Sequence, residues 1–196
     1  MDARPDDSEV RLGVRLAGSA DAEAVGGLLD ACHREFDEPT PGPVAVAARI
    51  RELLAGGDTA VLLGGAGPDG LAVLRFRAAL WTTAMECYLA ELYVVPSRRR
   101  RGLGYAMLEA AIELACERGA DYMELGMSED NVAARTLYER LGFTNREDGA
   151  DGPVLHFYER ELDPREGRAS STVPIASKCR SIASIDARSP LDSTAS

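Results

Sequence analysis

Histidine and cysteine are scarce in this chain of 196 residues, and their placement excludes two kinds of site. The histidines are His33 and His156, and the cysteines Cys32, Cys87, Cys116 and Cys179 show no paired spacing. A zinc knuckle needs ligands in close pairs and a disulfide framework needs regularly placed cysteines, so neither is legible and no metal is expected. The neighbours Cys32 and His33 do not read as a nucleophile and its base, because adjacent residues on a helix point about 100° apart. Long apolar runs are missing too. No stretch approaches the roughly 20 residues that span a bilayer, and Met1 to Asp7 lacks the basic-then-apolar pattern of a secretory leader, so a cytoplasmic protein without a membrane partner is expected. Positive charge is the minority sign. Lys and Arg total 22 against 32 Asp and Glu, a net charge of -10, which argues against a nucleic-acid partner and favours a cationic one. What the chain does have is 45% hydrophobic residues, enough to build a core and to exclude wholesale disorder.

Composition divides the chain into three parts: an acidic leader over 1–8, one domain over 9–162, and a segment over 163–196. The last is serine-rich and, from Pro164 on, has no aromatic residue, so it buries too little apolar surface to order itself and reads as a disordered tail.

Within the domain, Val10, Leu12, Val14 and Leu16 alternate with polar residues and predict a strand. Ser19 predicts the cap of a helix running to about Phe36, where Pro39, Pro41 and Pro43 open a loop. A short helix over Val44 to Leu54 follows, then a hairpin of strands Thr59 to Leu63 and Leu71 to Leu80. A strand from Met85 to Val95 leads into a helix over Leu103 to Arg118, whose Glu109, Glu113 and Glu117 lie toward water. A strand from Tyr122 to Met127, a helix from Asn131 to Leu141, and two closing strands at Phe143 to Arg146 and Val154 to Glu161 complete the pattern. Hairpins in the first half and strand–helix–strand alternation in the second predict an α/β (α+β) fold, with a mixed, mostly antiparallel sheet and helices on both faces.

The chemically informative stretch is the junction at 92–106, from Leu92 through Val94, Val95, Arg99, Arg100, Arg101, Gly102, Leu103, Gly104 and Tyr105 to Ala106. A strand ends, arginines and two glycines make a turn, and a helix begins at once, so free backbone N–H groups converge at the positive end of that helix. Glycines there let an anion approach the amides, and arginines add charge and forked donors. A solvated arginine patch is the competing reading, since Gly-x-Gly alone is weak and neither a dinucleotide fingerprint nor a nucleotide triphosphate loop is complete.

Arg99-Arg100-Arg101-Gly102-Leu103-Gly104 resembles the Arg/Gln-x-x-Gly-x-Gly/Ala signature of the GNAT superfamily of N-acetyltransferases. Further on, Asn131 to Phe143 resembles that family's second signature, an Asn, then Leu137-Tyr138, then Gly142-Phe143 opening the next strand. The resemblance implies a GNAT fold whose fourth and fifth strands splay apart, acetyl-coenzyme A as cosubstrate, and its diphosphate on the turn from Arg99 to Ala106. It implies that the pantetheine arm runs along the backbone of Leu92, Val94 and Val95, and that Asn131 reaches the pantetheine; a helix N-cap is the other reading of Asn131. Tyr138 matches the tyrosine that protonates the departing thiolate, against a reading as core packing. Glu91, alternating with Leu92, is the expected base that takes the proton of the amine, with Glu86 on the other face unless a bulge intervenes; a solvated edge-strand glutamate is the alternative for both. Acceptor choice would rest on the loop carrying Glu35, Phe36, Asp37 and Glu38, with Trp81 and His156 at the rim or in the core. Those carboxylates suit a small cationic amine, polyamine-like or aminoglycoside-like. Acetylation of a protein N-terminus or lysine, and a non-catalytic acetyl-coenzyme A sensor, are the other readings, and a homodimer fits as well as a monomer.

Overall fold

The structure, a computed structural model, describes residues 13–160; the leader 1–8 and the segment 163–196 lie outside the described residues. In chain order the elements are β1 (Arg15–Leu16), α1 (Ala22–Glu35), α2 (Pro43–Ala55), β2 (Thr59–Gly64), β3 (Gly70–Ala78), β4 (Met85–Val94), α3 (Leu103–Glu117), β5 (Ala120–Leu125) and α4 (Val132–Arg140). They form one sheet in the order β1-β2-β3-β4-β5, antiparallel throughout except for the parallel pair β4–β5. That parallel pair needs a crossover, which α3 supplies.

Each face of the sheet carries its own core. Val61, Leu63, Leu71, Val73 and Tyr93 pack with Val25, Leu29 and Ile50 of α1 and α2. On the other face Leu62, Leu74, Leu89, Leu92 and Val94 pack with Leu103, Met107 and Leu108 of α3 and with Leu137 and Tyr138 of α4. Burying each large aliphatic side chain stabilises the fold by about 1.5–3 kcal/mol, and β2, buried along its whole length, belongs to both cores. Helices α1 and α2 touch through Gly26: a Cβ there would stand 2.5 Å from the Pro43 carbonyl oxygen, so only glycine lets the two backbones come this close.

Strand β4 contains a bulge. Val73 pairs with Glu91 while the next residue, Leu74, pairs with Leu89, so Ala90 is the extra residue. The bulge switches the alternation along the strand: Cys87 and Leu89 before it face α3 and α4, and so do Leu92 and Val94 after it. The β4–β5 ladder ends at Leu89–Leu125, whereas β3 follows β4 as far as Val94. The two strands therefore part beyond the bulge.

Three expectations need correction. Among the described residues the first strand is Arg15–Leu16 and leaves out Val14, while Val10 and Leu12 lie outside the described residues. Ser19 does not cap α1; residues Ser19–Asp21 form a 3-10 turn, closed by the Gly18 N–H donating to the Asp21 carboxylate at 2.9 Å. The closing strands do not form either. Between Phe143 and Arg160 a single bridge joins Arg146 to Val154, and Val154, Leu155, Phe157 and Tyr158 are exposed. Alternation supplies the residue pattern of a strand, but without a neighbour to complete a ladder and cover one face it does not fix one.

Candidate active site

After β4, residues Pro96–Arg98 make one 3-10 turn and the chain then enters the arginine segment. Arg100 has φ +61, and Gly102, the residue before α3, is left-handed at φ +79. A glycine takes that conformation without penalty, and it offers no side chain to cap the helix. Leu103, Gly104 and Tyr105 open the helix, so their N–H groups have no acceptor inside it; the ladder begins with the Ala106 N–H donating to the Gly102 carbonyl at 3.0 Å. Gly102, Leu103 and Gly104 are buried while Arg100 and Arg101 are exposed. The turn thus has the donor set an anion needs: helix-end amides, a positive dipole end and two solvent-facing guanidinium groups.

The other two arginines are paired with carboxylates. Arg98 lies 3.3 Å from the Asp69 carboxylate. Arg99 donates from Nε to the Val94 carbonyl at 2.9 Å and from its guanidinium to Glu35 Oε2 at 2.6 Å. Tyr93 donates its hydroxyl to the same Glu35 oxygen at 3.2 Å, and burial, with the negative Glu35 beside it, pushes the phenol up to about 12.

Glu91 is half-buried and pairs with Val73, which places it on the α1/α2 side of the sheet, opposite to Leu92 and Val94. The bulge brings Glu86 onto that same side. Glu86 is held by Arg77 at 2.6 Å, and Arg77 also reaches Glu124 at 3.0 Å. Tyr88 stands between Arg75 and Glu124 across three strands. The part of this face that α1 and α2 leave uncovered is therefore a polar row.

Tyr138 is 3% exposed and belongs to the cluster with Leu92, Val94 and Leu103; its ring meets Phe143 edge-on at 5.8 Å between centroids. The sheet thus separates Glu91 and Tyr138, one on each face, near the place where β4 and β5 part. Asn131 caps α4, its side-chain oxygen accepting from the Ala134 N–H at 3.2 Å.

In the loop after α1, Asp37 is exposed at φ +55 and Phe36 packs against the α1/α2 core. Glu38 turns inward: its side chain is 8% exposed, and among the described residues neither carboxylate oxygen has a hydrogen-bond partner. His33 Nδ1 lies 3.6 Å from that carboxylate and 3.3 Å from the Pro39 carbonyl. Nearby Asp30 accepts from Thr40 at 2.8 Å and Arg34 at 2.7 Å, and these bonds hold its carboxyl below the usual range. Trp81 is 90% exposed in the loop between β3 and β4.

The residues that sequence reasoning passed over are Tyr93, Arg75, Arg77 and Tyr88. The alternation Leu74-Arg75-Phe76-Arg77 was the available signal, since arginines at every second position mark a face that no helix covers. Among the described residues no group of three or more His, Cys, Asp or Glu side chains is placed to hold a metal, and no helix is long and apolar enough to cross a membrane.

Comparison with known proteins adds a second kind of observation. A family model described as the acetyltransferase (GNAT) family matches residues 33–143, more than half of the chain. A crystal structure from Arthrobacter sp. FB24, proposed there to be an acetyltransferase, is 41% identical, covers 83% of this chain and 100% of its own, and superimposes with a TM-score of 0.71. Mycothiol acetyltransferase of Beutenbergia cavernae is 37% identical over 70 residues, which is 34% of this chain but only 24% of that protein's length. The ribosomal protein bS18-alanine N-acetyltransferase of Escherichia coli is 33% identical over 91 residues, 46% of this chain and 57% of that one.

Proposed function

Because the chain belongs to the acetyltransferase (GNAT) family, we propose that it transfers an acetyl group from acetyl-coenzyme A to a primary amine. The observation that carries this reading is the turn at Gly102, where a left-handed glycine opens α3 after the end of β4 that no longer pairs with β5. When bound, acetyl-coenzyme A supplies an activated thioester. Its diphosphate fits the amides from Leu103 to Tyr105, in the first turn that Ala106 closes, with Arg100 and Arg101 alongside, and its pantetheine fits the backbone of Leu92, Val94 and Val95 and the side of Asn131.

The remaining chemistry belongs to this chain. An amine of lysine type has a pKa near 10.4 and arrives protonated. Glu91, on the acceptor side of the sheet, takes that proton and leaves the nitrogen lone pair free to attack. The Val94 amide N–H meets the charge that develops on the attacked carbonyl oxygen. Tyr138, on the donor side, gives its proton to the leaving sulfur; a phenol near pKa 10 does this for a thiol near 8.5 as the C–S bond breaks, and the second proton that the nitrogen sheds as the amide forms restores the phenol through solvent. The acceptor enters from the α1/α2 side, where the Glu38 carboxylate, sheltered beside His33 and without a hydrogen-bond donor among the described residues, is suited to an ammonium group. A small cationic amine is the acceptor this supports best.

Mixing the protein with acetyl-coenzyme A and a panel of polyamines, aminoglycosides and short peptides, and following release of free thiol, tests the reading. Thiol release with the small cations is expected. Release with peptides alone would transfer the function to protein acetylation, and uptake of acetyl-coenzyme A without release on any amine would leave a sensor.

A further inference from the structure

Glu35 ends helix α1, on the acceptor side, and Arg99 begins the coenzyme turn; they are 64 residues apart in sequence and 2.6 Å apart in space. The contact is sheltered, with the Arg99 and Glu35 side chains 21% and 25% exposed. Arg99 has little left to offer outward. Its Nε is spent on the Val94 carbonyl, its guanidinium faces Glu35, and the Tyr93 ring lies 5.8 Å away. The Tyr93 hydroxyl then takes up Glu35 from a second direction.

We propose that Glu35 is a positioning residue for the coenzyme turn, acting through Arg99. This rests on the function proposed above and changes the part Glu35 plays in it. Its charge is answered by Arg99 instead of by the acceptor amine, and Arg99 shapes the turn instead of meeting the diphosphate. By holding the guanidinium against the end of β4, Glu35 fixes the direction in which the chain leaves Val94, and so where Arg100, Gly102 and the first amides of α3 stand. A charge-assisted, partly buried pair is strong enough to do this. It also joins the two faces of the sheet, so that coenzyme on the turn steadies the end of α1.

The sign of one measurement decides the matter. If Arg99 were a phosphate ligand restrained by Glu35, Glu35→Gln would release its charge and tighten coenzyme binding. If Glu35 positions the turn through Arg99, the same variant weakens it. Titration calorimetry with acetyl-coenzyme A is expected to give a Kd raised about ten-fold for Glu35→Gln, within the range that coupled sites span. Arg99→Gln should give the same loss, and the double variant no more than either, because the two act as one unit. Unchanged or tighter binding by Glu35→Gln, or losses that add in the double variant, overturns the inference. Thermal unfolding is followed in parallel, and a lowered Tm with an unchanged Kd also overturns it. Should Glu35→Gln fail to fold, Glu35→Asp is read instead; it keeps the charge, shortens the reach, and is expected to weaken binding by a smaller factor, with unchanged affinity counting against the proposal. Wild-type protein that takes up no acetyl-coenzyme A would sink the proposed function itself, whereas normal wild-type binding with indifferent variants sinks the role of Glu35 alone.

Discussion

At the scale of single residues, the two proposed proton carriers make different demands on the coenzyme. Glu91→Gln removes a base without touching the turn, so turnover should fall by about 10²–10⁴ while the affinity for acetyl-coenzyme A, measured by titration, stays near wild type. Tyr138→Phe keeps the ring against Phe143 and should lower turnover in the same way. A second residue bears on stability. Cys87 is fully buried, and burial pushes its thiol from 9.0 up to about 11. The native state therefore holds this proton while the unfolded chain releases it. The stability it contributes is complete below pH 9 and lost as pH rises to 11, a swing of roughly 2–3 kcal/mol. Denaturant unfolding of Cys87→Ala across that window should show a shallower alkaline decline than wild type, from a lower starting stability. Which residues make up the turn before α3 was legible, because Arg99 to Gly104 is contiguous. Which arginine faces where was not: the partners Asp69 and Glu35 lie far off in sequence, and no local pattern announces them.

Elements were legible to within a few residues wherever the periodicity was strong, as in β2, β3, α2 and α3. Thr59 to Leu63 was expected and Thr59–Gly64 found; Leu103 to Arg118 was expected and Leu103–Glu117 found. The bulge at Ala90 was beyond reach, because an extra residue in a strand shows itself only against the partner strand, and it decides that Glu86 and Glu91 share a face. The closing strands failed for the opposite reason, a convincing pattern from Val154 on with no ladder beside it. The bulge predicts an unusual ranking of variants. Ala90→Gly keeps the count of residues and should behave almost as wild type. Deleting Ala90 keeps Leu89 opposite Leu74 and Glu91 opposite Val73, so every side chain holds its face and only the local kink is lost. The deletion should therefore unfold at a Tm close to wild type, while thiol release falls because the bend in β4 beside Glu91 is gone.

For the molecule as a whole, the charge distribution is uneven in a way its total conceals. A chain of net charge -10 repels a polyanion, yet presents Arg100 and Arg101 to solvent at the turn proposed for the diphosphate. Attraction at that turn is exposed and hence open to screening. Coenzyme affinity should weaken as salt rises from low to physiological levels, and should do so less in an Arg100→Gln/Arg101→Gln variant, whose affinity at low salt starts lower; a calorimetric series in sodium chloride reads both. The sheet also divides the proposed site in two. The turn, α3, α4 and Tyr138 lie to one side, and Glu91 with the first two helices to the other. Grafting onto this scaffold the α1–α2 hairpin of a relative would re-aim it at a new family of amines while the donor half stayed intact, provided the graft carried an acid where Glu35 stands.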